Sequence, residues 1–113
     1  MEELLRYWQK VLRLEDWTIA LETECEPHKL EIENTDGTVE YTEANKTAII
    51  RILAEKCYGK QIRPYDPTRI LIHELLHLKF SLISDCGNDI QDRIIHQIID
   101  DLAKGFSEIE SRS

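Results

Sequence analysis

The chain opens with apolar side chains at helical spacing. Leu4, Leu5, Trp8, Val11, Leu12 and Leu14 recur every three or four residues, which predicts an amphipathic helix over residues 2–14. The period then changes. Trp17, Ile19 and Leu21 alternate with Thr18, Ala20 and Glu22, the signature of a half-buried strand. Two short runs, Lys29–Glu33 with Leu30 and Ile32 inward and Thr38–Thr42 with Val39 and Tyr41 inward, flank Asp36-Gly37 and predict a hairpin turning there. Thr47–Leu53, rich in β-branched residues, predicts a fourth strand, and Gly59, Pro64 and Pro67 mark the loop after it.

Asp66 followed by Pro67 reads as a helix start, with the Asp side chain free to cap and Pro at the first helical position, where no N–H is needed. This helix is expected to run to about Leu82. Its apolar residues, Ile70, Leu71, Ile72, Leu75, Leu76, Leu78 and Phe80, cover nearly the whole circumference, so it must be buried. After Cys86-Gly87-Asn88 a last helix is expected from near Asp89 to around Gly105, with Ile90, Ile94, Ile95, Ile98, Ile99 and Leu102 on one face. The order of helix, four strands and two helices predicts an α+β domain with an antiparallel or mixed sheet.

Composition narrows the class. At 113 residues the chain fits one domain, 1–113, and 42% hydrophobic content suffices for an ordinary core. Against 14 Lys and Arg stand 22 Asp and Glu, a net charge of -8 that repels phosphate backbones and argues against nucleic acid as a partner. Glu2, Glu3, Glu15, Asp16, Glu22, Glu24, Glu26, Glu31 and Glu33 read as a solvated face. No apolar run approaches the roughly 20 residues of a membrane helix. The start lacks a basic segment followed by an apolar one, so a cytoplasmic location is expected. Cys25, Cys57 and Cys86 are odd in number and scattered, which points to reduced thiols, not to disulfides or a metal knuckle.

Inside the buried helix stands His73-Glu74-Leu75-Leu76-His77, the H-E-x-x-H pattern of zinc hydrolases. Residues i and i+4 lie one turn apart on the same face, so both imidazoles can bind one Zn²⁺ at roughly 2.0–2.1 Å. Glu74, rotated about 100° from His73, can reach a metal-bound water as general base without becoming a ligand. With 4 His and 14 Glu among 113 residues the pattern arises by chance in about 2% of such chains. Burying two histidines and a glutamate among apolar neighbours would also be costly without a partner such as a metal.

A catalytic zinc needs a third protein ligand and an open fourth position. The extended metzincin pattern requires Gly and His where this chain has Phe80 and Ile83. A three-histidine pattern seen in a bacterial rRNA-maturation metalloribonuclease fails for the same reason. The third ligand must come from further on, and His96, Asp89, Asp92, Asp100 and Cys86 are the candidates. His96 lies at the margin of the last helix's apolar stripe, and Asp100, one turn on, shares its face.

These motifs resemble the minimal zincins, gluzincin-like metallopeptidases of about this length, many of them phage- or prophage-encoded. The resemblance covers most of the chain: the amphipathic start with Trp17, the Gly37–Val39 hairpin, the strand around Ile50, HELLHLKF over 73–80 and HQIIDDLA over 96–103. It implies a small twisted sheet with a buried active-site helix, a bound Zn²⁺ and a peptide or protein substrate. The family's third ligand is a Glu, with an Asp four residues later bonded to the first zinc histidine. Those positions here are His96 and Asp100, a departure that leaves the metal with three neutral ligands.

The expected activity is therefore peptide hydrolysis, with His73, His77 and His96 on zinc, Glu74 as base and Asp100 behind a ligand. Two other readings stand beside it: a regulatory zinc protein acting on one partner such as a repressor, and a non-enzymatic domain closed around structural zinc by Cys86 or an Asp. Tyr41, Tyr58 and Tyr65 could each stabilise an oxyanion, Tyr65 foremost because it immediately precedes the active-site helix. His28, beside Pro27, reads as an exposed loop residue. Either Thr38–Thr42 or Thr47–Leu53 could offer an edge to an extended substrate.

Overall fold

The computed structural model describes residues 1–30, 35–59, 62–81 and 89–112, without the side chains of 89–92, 94 and 110–112. The described elements are α1 (Glu2–Val11), β1 (Thr18–Cys25), a 3₁₀ turn at Pro27–Lys29, β2 (Gly37–Thr42), β3 (Thr47–Leu53), α2 (Glu55–Tyr58), α3 (Pro67–Phe80) and α4 (Asp89–Arg112). The α+β class holds.

The sheet differs from expectation. Among the described residues it has three strands in the order β1-β3-β2, with β1 parallel and β2 antiparallel to β3. Most of the expected Lys29–Glu33 strand lies outside the described residues, and Lys29 itself closes the 3₁₀ turn. Asp36-Gly37 is not a hairpin turn. Gly37 is already paired with Ile52, and the hairpin instead turns at residues 43–46, where Lys46 takes a positive φ of 51°. The second run pairs with the strand that follows it, while the first lies mostly outside the described residues.

Thr47–Leu53 matches its expected bounds and becomes the central strand, so both its edges are used. Its alternation is clean: Ala48, Ile50 and Ile52 are buried beneath the helices, whereas Arg51 on the other face reaches Glu22 of β1 at 3.0 Å and Glu40 of β2 at 2.8 Å. Val39 packs inward as expected. Tyr41 shares its parity but is 42% exposed, edge-on to Trp17, about 13 Å along the strand from Gly37, where α3 crosses.

Helix α3 starts as its sequence requires, with Asp66 Oδ1 accepting from the Arg69 N–H and Pro67 in the first turn. It buries Ile70, Leu71, Ile72, Leu75, Leu76 and Leu78 between the sheet, α1 and α4. Helix α1 is three residues shorter than expected, although Leu14 beyond it is buried, and Val11 is exposed.

Helix α4 runs past Gly105 to Arg112. Phe106 packs on Trp8 and the Ser107 hydroxyl donates to Asp66, contacts that carry the helix through the glycine. Its stripe against α3 is centred on Ile99 and Ala103, leaving Ile98 45% exposed. No helix among the described residues is long and apolar enough to cross a membrane.

Gly37 and Gly105 should respond oppositely to alanine. A Cβ on Gly37 would lie 2.7 Å from Ile70 Cγ2 and 3.0 Å from the Arg51 carbonyl, whereas one on Gly105 meets nothing within 4 Å. Gly37→Ala is expected to destabilise by about 1–3 kcal/mol through overpacking. Gly105→Ala should stabilise by about 0.5–1 kcal/mol through helix propensity. Urea midpoints of the two variants check this, and a neutral Gly37→Ala would mean that α3 stands further from β2.

Candidate metal centre

Three histidines from two helices converge. His73 and His77, one turn apart on α3, have their Nε2 atoms 3.0 Å from each other, and the His77 and His96 rings are 4.6 Å apart between centroids. One ligand atom of each of the three lies within 4.8 Å of those of the others. A tetrahedral site with bonds of 2.0–2.1 Å has ligand atoms about 3.4 Å apart, and this set is close enough that it could hold a metal ion. His96 reaches α3 because α4 packs along it through Ile99, buried in the core three residues on.

The site is half open. His73 and His77 are partly buried and His96 is exposed, on a depression of about 450 Å³ lined by Arg93, His96, Gln97 and Asp100. Burial, followed by its two histidine neighbours, holds His77 down to about 4, and burial is also the main cause lowering His73. Both rings are therefore neutral at physiological pH, the form that binds metal.

Glu74, about 100° round α3 from His73, is packed against the start of β2. It is 5% exposed, its Oε2 has no hydrogen-bond partner among the described residues, and a Cβ on Gly37 would sit 3.4 Å from its Cγ. Burial, aided by the charge of Asp36, pushes its carboxyl up to about 8. Asp36 is held by Arg69, itself 5% exposed, through a 3.5 Å contact.

Asp100 lies behind the histidines. Its Oδ1 is 3.8 Å from His73 Nδ1, and the carboxylate is gripped by Arg63 and approached by Lys104. Burial raises its pKa, but the hydrogen bonds from Arg63 and Lys104 outweigh that and hold the group below the ordinary carboxylate value. The expected placement of Asp100 beside the first histidine is thus present.

Tyr65 is not brought to the cluster. Its hydroxyl donates to the Leu53 carbonyl at 2.8 Å and its ring packs edge-on against Tyr58, whose hydroxyl donates to Arg63 O. Tyr41 is spent on Trp17. These are packing roles, fixed by backbone acceptors within reach. His28 is exposed and pairs with Glu26 at 3.4 Å, as its loop position implied. Cys25 is a buried free thiol and Cys57 a half-buried one, while Cys86 and the side chains of Asp89 and Asp92 lie outside what the structure describes.

Arg63, Asp36 and Arg69 escaped the reading of the sequence. Arg69 lies four residues before His73, so helical spacing alone could have flagged it. Arg63 and Asp36 reach the site across 37 and 33 residues, with no local signal. No family model, curated protein or solved structure matches the chain.

Protonation should shape the stability of the metal-free protein in opposite directions. Glu74, with its folded pKa raised from 4.5 to about 8, contributes stability that is full below 4.5 and lost as pH rises through about 8. His77, lowered from 6.5 to about 4, contributes stability that is present above 6.5 and lost as pH falls through about 4. Glu74→Gln should remove the alkaline loss and leave the acid one. Urea midpoints of wild type and variant across that range decide it; equal alkaline slopes would assign the loss to another group.

Proposed function

We propose that the chain is a zinc-dependent metallopeptidase of minimal zincin type. One observation carries this reading: three imidazoles converge from two helices, and the residue after the first of them is a buried glutamate whose Oε2 has no hydrogen-bond partner among the described residues. His73, His77 and His96 would hold the ion. A bound zinc supplies positive charge that polarises the scissile carbonyl, acidifies the attacking water and draws Glu74 back to its charged form.

Glu74 takes a proton from the water as its oxygen attacks the carbonyl carbon. It returns that proton to the amine as the C–N bond breaks. Asp100 orients His73 through Nδ1. We assign the substrate to the side of β2 that is unpaired among the described residues, since β3 is paired on both edges and the first residue of β2 lies against Glu74. An extended peptide there would gain backbone hydrogen bonds and bring its carbonyl to the helix that carries the base.

Two experiments test this. Purified wild type is expected to carry one zinc per chain by metal analysis, and His73→Ala and His96→Ala to lose it while the control His28→Ala keeps it. If His96→Ala binds zinc as tightly as His28→Ala, another group closes the site.

Glu74→Gln should retain zinc and fold yet lose about 10²–10⁴-fold in turnover on any peptide that wild type cleaves. Unchanged turnover would remove Glu74 from the mechanism.

A further inference from the structure

Arg63 meets Asp100 with both terminal nitrogens, Nη1 to Oδ1 at 3.3 Å and Nη2 to Oδ2 at 3.2 Å. A two-point contact of this kind fixes the plane of a carboxylate as well as its position. Lys104, one helical turn beyond Asp100, approaches Oδ2 at 3.3 Å, which leaves Oδ1 turned toward His73 Nδ1 at 3.8 Å. A carboxylate facing Nδ1 favours the tautomer that carries its proton there, freeing the Nε2 lone pair, and it is Nε2 of His73 that faces His77.

Arg63 is itself pre-set. Its carbonyl accepts the Tyr58 hydroxyl at 2.7 Å, and the Pro64 that follows confines its backbone to extended conformations. Asp100, by contrast, stands on a helix face with its side chain 24% exposed, free to turn toward Lys104 and solvent if the fork is removed.

We infer that Arg63 is a positioning residue of the histidine cluster: through Asp100 it holds His73 in the tautomer and orientation that present Nε2 to a metal. The inference rests on the metal-binding reading above and adds to it a residue far from the motif, on a loop.

The test uses the full chain, with two readouts: zinc affinity by chelator competition, and the His73 tautomer from imidazole ¹⁵N shifts in the zinc-free protein. Arg63→Met is expected to weaken zinc binding by about 10-fold, the lower end for groups behind a ligand. It should also shift His73 away from the Nδ1–H form. Arg63→Lys, which keeps the charge but loses the fork, should recover part of both, and remains informative if the Met variant does not fold. Added to Asp100→Asn, Arg63→Met should have no further effect.

Wild-type affinity and tautomer in Arg63→Met and Arg63→Lys would overturn the inference, as would an undiminished effect of Arg63→Met in the Asp100→Asn background. Failure of the metal reading shows separately, as wild type without zinc or His73→Ala retaining it, and the tautomer measurement still judges Arg63.

Discussion

Helix α3 has to be core and site at once. Its leucines and isoleucines fill the space between sheet, α1 and α4, and the same fourteen residues carry two histidines, a glutamate and an arginine. Six buried aliphatic side chains at about 1.5–3 kcal/mol each make the helix the main source of burial energy here. A carboxyl left without a partner costs about 1–3 kcal/mol when neutral. One aliphatic neighbour offsets that, so Glu74 is tolerated as the acid. Kept charged and unpaired it would cost far more. Its raised pKa and an Oε2 without a hydrogen-bond partner among the described residues are two views of the same constraint.

The remaining parts of the centre follow from what packs on α3. Helix α4 lies along it through Ile99 and Ala103, and this contact delivers His96 to His77 and Asp100 to His73. Strand β2 approaches so closely at Gly37 that a side chain there would strike Ile70, which brings the start of β2 against Glu74. The loop before α3 is anchored to the end of β3 through Tyr65 and carries Arg63 onto Asp100. Three elements that share no sequence signal are registered against one another by a single buried helix.

Charge is distributed to match. The acidic residues expected on a solvated face are exposed wherever they are described, and Arg51 bridges Glu22 and Glu40 on the sheet's outer face. Near the histidines the balance reverses: Arg63, Arg69 and Lys104 are each paired with Asp100 or Asp36. Arg63 and Lys104 keep Asp100 ionised next to His73 while burial keeps His73 and His77 neutral, an arrangement suited to binding a cation through nitrogen.

Local periodicity by itself determined the bounds of β3, the start of α3 at Asp66-Pro67, the burial of that helix and the pairing of His73 with His77, because each depends on residues within one or two turns of each other. It also brought His96 and Asp100 onto one face, four residues apart. Tertiary structure decided the rest. Which strands pair depends on partners distant in sequence, Gly37 at the start of β2 meeting Ile52 at the far end of β3. Gly105 reads as a stop until Trp8 and Asp66 supply contacts beyond it. Tyr65 looks free for chemistry until the Leu53 carbonyl takes its hydroxyl. Arg63 has no neighbour in sequence to reveal it; only the packing of α4 on α3 brings Asp100 within its reach, because a long-range ion pair leaves no periodic trace in either segment that forms it.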